Sequence, residues 1–142
     1  MNTGTAALAE ALACYAHRGQ RDKAGRDYIE HPRAVAAQLA TEEEKTVGFL
    51  HDILEDTFVT EETLRNLFGD RITDAVCAMT HRSEESYEAY IRRLGENPLA
   101  RTVKLADLAH NMDLSRLPRV TERDMARREK YKKAEFYLRS LR

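Results

Sequence analysis

The sequence predicts an all-α fold, and three observations predict it. Apolar residues recur at three- and four-residue spacing in nearly every segment, which puts them on one face of a helix. Nowhere do apolar and polar residues alternate over the length of a strand. Helix start and stop signals punctuate the chain: Thr41-x-x-Glu44, Asn97-Pro98, Gly69 and Gly95. At 142 residues the chain is read as one domain, residues 1–142, long enough for one hydrophobic core.

Taken in order, Thr3 to Gln20 reads as a first helix, with Leu8, Ala11, Leu12 and Tyr15 on one face. His17 closes it as a surface or helix-terminus histidine. Arg18 to Glu30 is a basic, irregular loop whose Arg21, Lys23 and Arg26 suit either solvent or a phosphate. His31-Pro32 opens a second helix, since proline fits a first turn, and Val35, Ala36 and Leu39 supply its inner face. Thr41 to Glu44 is a capping box. It starts a helix through Val47, Phe49, Leu50, His51 and Asp52 that runs on until Thr57 to Thr60 breaks it.

Thr60 starts a short helix through Leu64, Leu67 and Phe68, ended by Gly69. Asp70 is read as the cap of the next, with Ile72, Ala75, Val76 and Met79 inward. A polar break containing an exposed His81 precedes the helix of Tyr87, Tyr90, Ile91 and Leu94. Asn97-Pro98 opens a central helix from Leu99 to Met112, apolar nearly all round yet carrying Lys104, Asp107, His110 and Asn111. Leu117-Pro118 is a break. The last helix starts near Thr121 and runs to Arg142, with Met125, Tyr131, Ala134, Phe136, Tyr137 and Leu141 as a modest apolar stripe.

The charge balance narrows the function. Lysine plus arginine is 23 and aspartate plus glutamate is 24, a formal net charge of −1, so there is no global basic field for duplex nucleic acid. Cys14 and Cys77 lie in apolar helical patterns without a metal-type partner and read as small reduced core residues. No apolar run approaches the ~20 residues that span a bilayer, and no signal peptide is evident. The expected location is the cytoplasm, with neither a membrane nor a nucleic acid as partner; the oligomeric state is not legible.

One stretch concentrates chemistry. Phe49-Leu50-His51-Asp52-Ile53-Leu54-Glu55-Asp56-Thr57 sets one imidazole and three carboxylates among bulky apolar neighbours. On a continuous helix His51 and Glu55 lie one turn apart on one face, with Asp52 and Asp56 about 100° round the axis. So many ionisable groups beside a core call for compensation, most simply a bound cation. His31, the His51-Asp52 doublet and Asp107 all fall on otherwise buried helices. Together they form a mixed nitrogen and oxygen donor set suited to Mn²⁺, Fe²⁺ or Zn²⁺. Glu55 and Asp56 are placed to orient or deprotonate a water. Asp107 also suits a structural pairing with Lys104 at i,i+3 spacing.

The motifs His17-x-x-Gln20, Lys23-x-Gly25-x-x-Tyr28-Ile29-x-His31-Pro32, Phe49-Leu50-His51-Asp52-x-x-Glu55-Asp56-Thr57, Phe68-Gly69 and Val103-Lys104-Leu105-Ala106-Asp107-x-x-His110-Asn111-Met112 occur in a telling order. From Tyr15 to Met112 the chain resembles the HD-domain phosphohydrolases. Within them it resembles the RelA/SpoT-type (p)ppGpp hydrolase domain in its stand-alone form. The resemblance implies a helical bundle of seven or eight helices and one divalent metal, typically Mn²⁺, on His31, His51, Asp52 and Asp107. It implies that Glu55 and Asp56 serve the attacking water. Lys23 and Tyr28 would lie along the nucleotide and Asn111 near its sugar, with Lys104 near the phosphates or supporting Asp107. The implied reaction removes the 3′-diphosphate of ppGpp, giving GDP and pyrophosphate.

This chain departs from the family pattern at the nucleotide-reading positions. Asp22 and Ala24 flank Lys23 where Arg and Ser are usual, and Asp113-Leu114 follows Met112 where Arg-Thr is usual. The arginine that would stack on guanine is missing, with Arg21 next door as a substitute. Restoring it by Asp22→Arg is expected to lower the KM for ppGpp. The departures keep two alternatives open: the same chemistry on another phosphorylated nucleotide (NADPH at its 2′-phosphate, or a nucleoside mono- or triphosphate), and a non-catalytic metal-bound sensor module. The retained Glu55-Asp56 pair argues against the sensor.

Overall fold

A computed structural model describes residues 5–141. Among them the chain forms eight α-helices and no sheet; Arg21 and Asp27 make an isolated bridge. The helices are α1 (Thr5–Ala16), α2 (Glu30–Ala37), α3 (Glu42–Leu50), α4 (Ile53–Asp56), α5 (Glu61–Met79), α6 (Tyr87–Gly95), α7 (Pro98–Asn111) and α8 (Glu122–Ser140), with a 3-10 turn at Leu114–Arg116. The all-α expectation holds. Thr3 and Arg142, the outer limits expected for the first and last helices, lie outside the described residues.

α3 and α7 form the middle of the bundle. α1, α2, α5 and α7 pack on α3, and α2, α3, α5, α6 and α8 pack on α7. Their meeting faces bury Val47, Leu50, Val103 and Leu108 completely, each such side chain stabilising the fold by roughly 1.5–3 kcal/mol. α2 approaches α3 closely because residue 48 is glycine. A β-carbon there would sit 3.0 Å from a Leu39 methyl and 3.3 Å from the Ala36 Cα.

The caps read from sequence are in place. The Thr41 hydroxyl accepts from the Glu44 amide, and the Glu44 carboxylate accepts from the Thr41 amide. The Asn97 side chain accepts from the Ala100 amide at 3.0 Å. Gly69 has φ 85° and ψ 176°, a conformation open to glycine, and it breaks α5 where a helix end was expected. Asp70 is used differently from its expected capping role: its carboxylate accepts from Arg65 at 2.9 Å.

Four expectations need correction. α1 ends at Ala16 rather than Gln20, and its buried face is Ala6, Ala9, Ala13 and Ala16, while Leu8 and Tyr15 are exposed. The small alanines are what let α1 lie close on α3. Leu67, Met125 and Phe136 also point outward, and Leu138 instead of Phe136 faces the core on α8. Cys14 and Cys77 are free but only half-buried. The helix carrying His51 and Asp52 is not continuous: α3 stops at Leu50, Asp52 sits at φ −105° and ψ 0°, and α4 begins at Ile53.

Candidate metal centre and active site

Three segments bring the site together. The first turn of α2 presents His31, the break between α3 and α4 presents His51 and Asp52, and α7 presents Asp107. His31 Nε2 lies 2.8 Å from Asp107 Oδ1 and 3.2 Å from His51 Nε2. His51 Nε2 lies 3.1 Å from Asp52 Oδ2 and 3.3 Å from Asp107 Oδ1. His31 Nε2 and Asp52 Oδ2 are 4.0 Å apart. The break at Asp52 is what turns its carboxylate back onto the ring of the residue before it.

The far side of each donor is already engaged. His51 Nδ1–H donates to the Gly48 carbonyl at 2.7 Å, so Nε2 is the nitrogen that faces the two carboxylates. His31 Nδ1 lies 2.7 Å from His110 Nδ1. Burial, with His31 and Arg116 nearby, pushes His110 down to about 4, which keeps it neutral. Neutral His110 thus holds the far nitrogen of His31 and leaves His31 Nε2 facing Asp107 and His51. Lys104 Nζ donates to Asp107 Oδ2 at 2.9 Å, and Asn111 Nδ2 donates to Asp107 Oδ1 at 3.1 Å. The Tyr28 hydroxyl donates to Asp52 Oδ2; burial and Asp52 push its pKa up and keep the proton on it.

Electron-rich atoms thus converge where they would repel one another. Burial alone would push protonated His51 toward neutrality, but Asp52 and Asp107 outweigh it and pull its pKa well up. Burial likewise opposes ionised Asp107, and Lys104 with His51 outweighs it, holding that carboxyl well below its usual range. The site calls for positive charge at its centre, from a proton or a metal ion. His31, His51 and Asp52 offer donor atoms within 4.8 Å of one another, and Asp107 Oδ1 completes a two-imidazole, two-carboxylate set that fits a divalent ion.

Asp52 also belongs to a second group. Its carboxylate, with those of Glu55 and Asp56, offers donors within 4.8 Å of one another. Glu55 Oε1 accepts from the His81 amide at 2.5 Å. Burial and the Asp52 charge push both Glu55 and Asp56 above the ordinary carboxylate range. α4 is tied to the loop after α1, where Gln20 Nε2 donates to the Asp56 carbonyl at 2.9 Å and Gln20 Oε1 meets His17 Nδ1 at 2.8 Å. His17 is therefore a buried wedge, 2% exposed and against the Tyr28 ring, rather than a surface histidine.

A cavity of about 400 Å³ opens beside the cluster. Tyr28 and Asn111 border both it and the donor set. Lys23 lines it, well exposed and 3.9 Å from Asp124. Lys104 does not: it is buried against Asp107 and the Tyr90 ring, so of its two expected places the structure gives the support of Asp107. Sequence reasoning gave no role to His110, the Gly48 carbonyl, the His81 amide or Arg116. Only His110 carried a signal, three residues after Asp107 on the same helix.

The comparisons with known proteins agree with this geometry. Residues 7–132 match the family model described as HD domain. The chain belongs to the HD-domain family. A Haemophilus influenzae protein named guanosine-3′,5′-bis(diphosphate) 3′-pyrophosphohydrolase is 37% identical to this HD domain over 116 residues, covering 71% of this chain and 17% of that protein. A Myxococcus xanthus protein named GTP pyrophosphokinase is 35% identical over 114 residues, covering 68% of this chain and 15% of that protein. The HD domain thus spans under a fifth of the curated relatives it matches. A solved structure described as a metazoan ortholog of SpoT that hydrolyses ppGpp superposes with a TM-score of 0.76. At 23% identity over 97% of this chain and 86% of that one, it shows the shared fold. Membership implies a divalent metal, which the donor set fits. No helix among the described residues is long and apolar enough to cross a membrane.

Proposed function

We propose that this HD domain is a metal-dependent phosphohydrolase acting on ppGpp at its 3′-diphosphate. The observation that carries the reading is the adjacency of two groups through one residue. Asp52 joins the His31, His51 and Asp107 donor set to the Glu55 and Asp56 carboxylates. His31, His51, Asp52 and Asp107 would hold the ion; the donor set suits Mn²⁺, Fe²⁺ or Zn²⁺, and the family resemblance favours Mn²⁺. A divalent ion there supplies positive charge beside the phosphoryl group and lowers the pKa of a water.

The chain's own residues supply the rest. Asp56 takes a proton from the attacking water, a role suited to a carboxylate whose proton affinity burial and the Asp52 charge raise. Glu55, fixed by the His81 amide, orients that water. Tyr28 holds Asp52 by its hydroxyl and presents its ring to the nucleotide. Lys23 and Asn111 line the path of the ligand, and Lys104 acts through Asp107 rather than on the phosphates. Water adds to the phosphorus bound to O3′, the bond from phosphorus to O3′ breaks, and the proton taken up by Asp56 ends on O3′, giving the hydroxyl of GDP and free pyrophosphate. Relatives named as 3′-pyrophosphohydrolases support this choice of substrate.

The test is product analysis with Mn²⁺-loaded protein on ppGpp, NADPH, GTP and dATP. Conversion of ppGpp to GDP and pyrophosphate, lost in Asp52→Ala, is expected. Turnover of another of these nucleotides with none of ppGpp would keep the site and replace the substrate.

A further inference from the structure

The two acidic departures, Asp22 and Asp113, suggest a pocket that repels an anionic ligand. Their geometry says otherwise. Asp22 Oδ1 accepts from the Ala24 and Arg26 amides at 2.9 and 3.0 Å, closing the turn of the loop. Its Oδ2 meets Arg116 Nη1 at 3.3 Å, across the cavity from the 3-10 turn. Asp113 Oδ1 accepts from the Ser115 amide and hydroxyl at 3.0 and 2.6 Å, capping that same turn. Both acids are thus consumed in presenting one guanidinium. Burial opposes ionised Asp22, but the two amides and Arg116 hold it below its ordinary range.

Arg21, the sequence's substitute for the missing arginine, also lines the cavity, but its guanidinium is already engaged. Its guanidinium donates to the Gly25 carbonyl at 3.0 Å and lies 3.5 Å from Asp27, largely in solvent. Arg116 differs from Arg21: its Nε is buried and has no hydrogen-bond partner, as is also true of the Arg128 Nε on the same cavity, a costly state for a charged group's donor unless a ligand completes it. Among the charged residues of the cavity wall, Ala24, Leu114, Leu117 and Tyr131 supply apolar and aromatic surface. A planar cation beside those side chains suits the flat face and acceptor edge of a nucleobase, while Lys23, Arg127 and Arg128 in the same wall supply charge for a phosphate.

We propose that Arg116, clamped by Asp22 and carried on the turn capped by Asp113, is the residue that reads the base in this HD domain, delivered from the wall opposite the loop of residues 18–30. The inference rests on the proposed nucleotide hydrolysis, because it takes the reacting phosphate to lie at the His31, His51, Asp52 and Asp107 cluster. Tyr28 and Asn111 then lead the rest of the ligand into this cavity. It reverses the expectation for Asp22→Arg. That change removes the turn's acceptors and sets two guanidinium groups against each other, so it raises KM.

The test is calorimetric titration of Mn²⁺-loaded protein with GDP and with ribose 5-phosphate, alongside pyrophosphate release from ppGpp and metal content. Arg116→Ala is expected to weaken GDP binding and raise KM roughly tenfold, the size of a lost stacking contact. Metal content and ribose 5-phosphate affinity should stay unchanged. Arg116→Lys, which keeps the charge but not the plane, should fail to restore GDP affinity. Asp22→Asn keeps the turn and loses the clamp, so it should fall between wild type and Arg116→Ala. Equal GDP affinity in wild type and Arg116→Ala overturns the inference, as does absence of GDP binding to the wild type. An equal loss for ribose 5-phosphate also overturns it, by making Arg116 a phosphate ligand. Arg116-dependent GDP binding without pyrophosphate release from ppGpp would instead overturn the reaction and leave the inference standing.

Discussion

The donor cluster and the cavity beside it share Tyr28 and Asn111 yet are built in opposite ways. The cluster is carried on α2, α7 and the break between α3 and α4. His31, His51 and Asp107 are buried, and each has its far side fixed by a named partner: His110, the Gly48 carbonyl and Lys104. The cavity is walled largely by the loop of residues 18–30, the 3-10 turn and the start of α8, with cations and acids interleaved. Chemistry that tolerates little displacement sits on packed helices, and recognition sits on loops that can change residue by residue.

That contrast can be broken first at its strongest point. Asp52 is the residue common to the donor set and the carboxylate group, so Asp52→Ala is expected to abolish both metal binding and turnover. Metal analysis of the purified variant beside a pyrophosphate assay checks this. Retention of metal at the wild-type level would mean that His31, His51 and Asp107 suffice. Asp56→Asn separates the two functions: metal content should remain, while kcat falls by roughly 10²-fold or more, the usual worth of a positioned base. Wild-type kcat in that variant would remove Asp56 from the reaction.

The two regions also differ in how much of them the sequence reveals. The cluster's residues are spelled in short motifs, because a side chain on a helix has a fixed relation to its neighbours. His31-Pro32, His51-Asp52 and Lys104-x-x-Asp107 each carry their geometry with them. The helices and most caps were legible for the same reason. What was not legible depends on contacts between distant segments. The inward face of α1 is the alanine face because α3 lies so close, which a hydrophobicity pattern led by Leu8 and Tyr15 conceals. The break at Asp52 has no glycine or proline to announce it. The Asp22 to Arg116 contact joins residues 94 apart, and no local rule links an acid in one loop to a cation in another.

A milder perturbation tests whether the cluster depends on its supports. Lys104→Met keeps the length of the stem in a buried position but leaves Asp107 Oδ2 without its donor. Removing a partner that fixes a liganding group typically costs 10- to 100-fold in metal affinity, and about that loss is expected here. Breaking a buried pair also costs about 3–5 kcal/mol of stability, so denaturant midpoints should fall with it. Measured by competition with a chelator, unchanged metal affinity would show that Asn111 alone is enough to orient Asp107.

The smallest effect is expected where the carboxylate pair meets a loop. Arg93 grips Glu85 through both carboxylate oxygens, at 2.6 and 2.8 Å, and donates to the Thr80 carbonyl at 2.9 Å. Those bonds shape the turn that aims the His81 amide at Glu55. Glu85→Gln should lower kcat only a few-fold, by loosening Glu55, and leave metal content alone. It should also lower Tm in a pH-dependent way. The Arg93 bonds, joined by the Arg82 amide, pull the Glu85 carboxyl from 4.5 down to about 2 in the folded chain. A depressed carboxylate contributes stability that is complete above its ordinary pKa and is lost as pH falls through its folded value. The Tm gap between wild type and Glu85→Gln should therefore be constant near neutrality and close as pH drops from about 4.5 toward 2. A gap that persists at the acid end would mean that the amide disrupts the turn by its shape rather than by its missing charge.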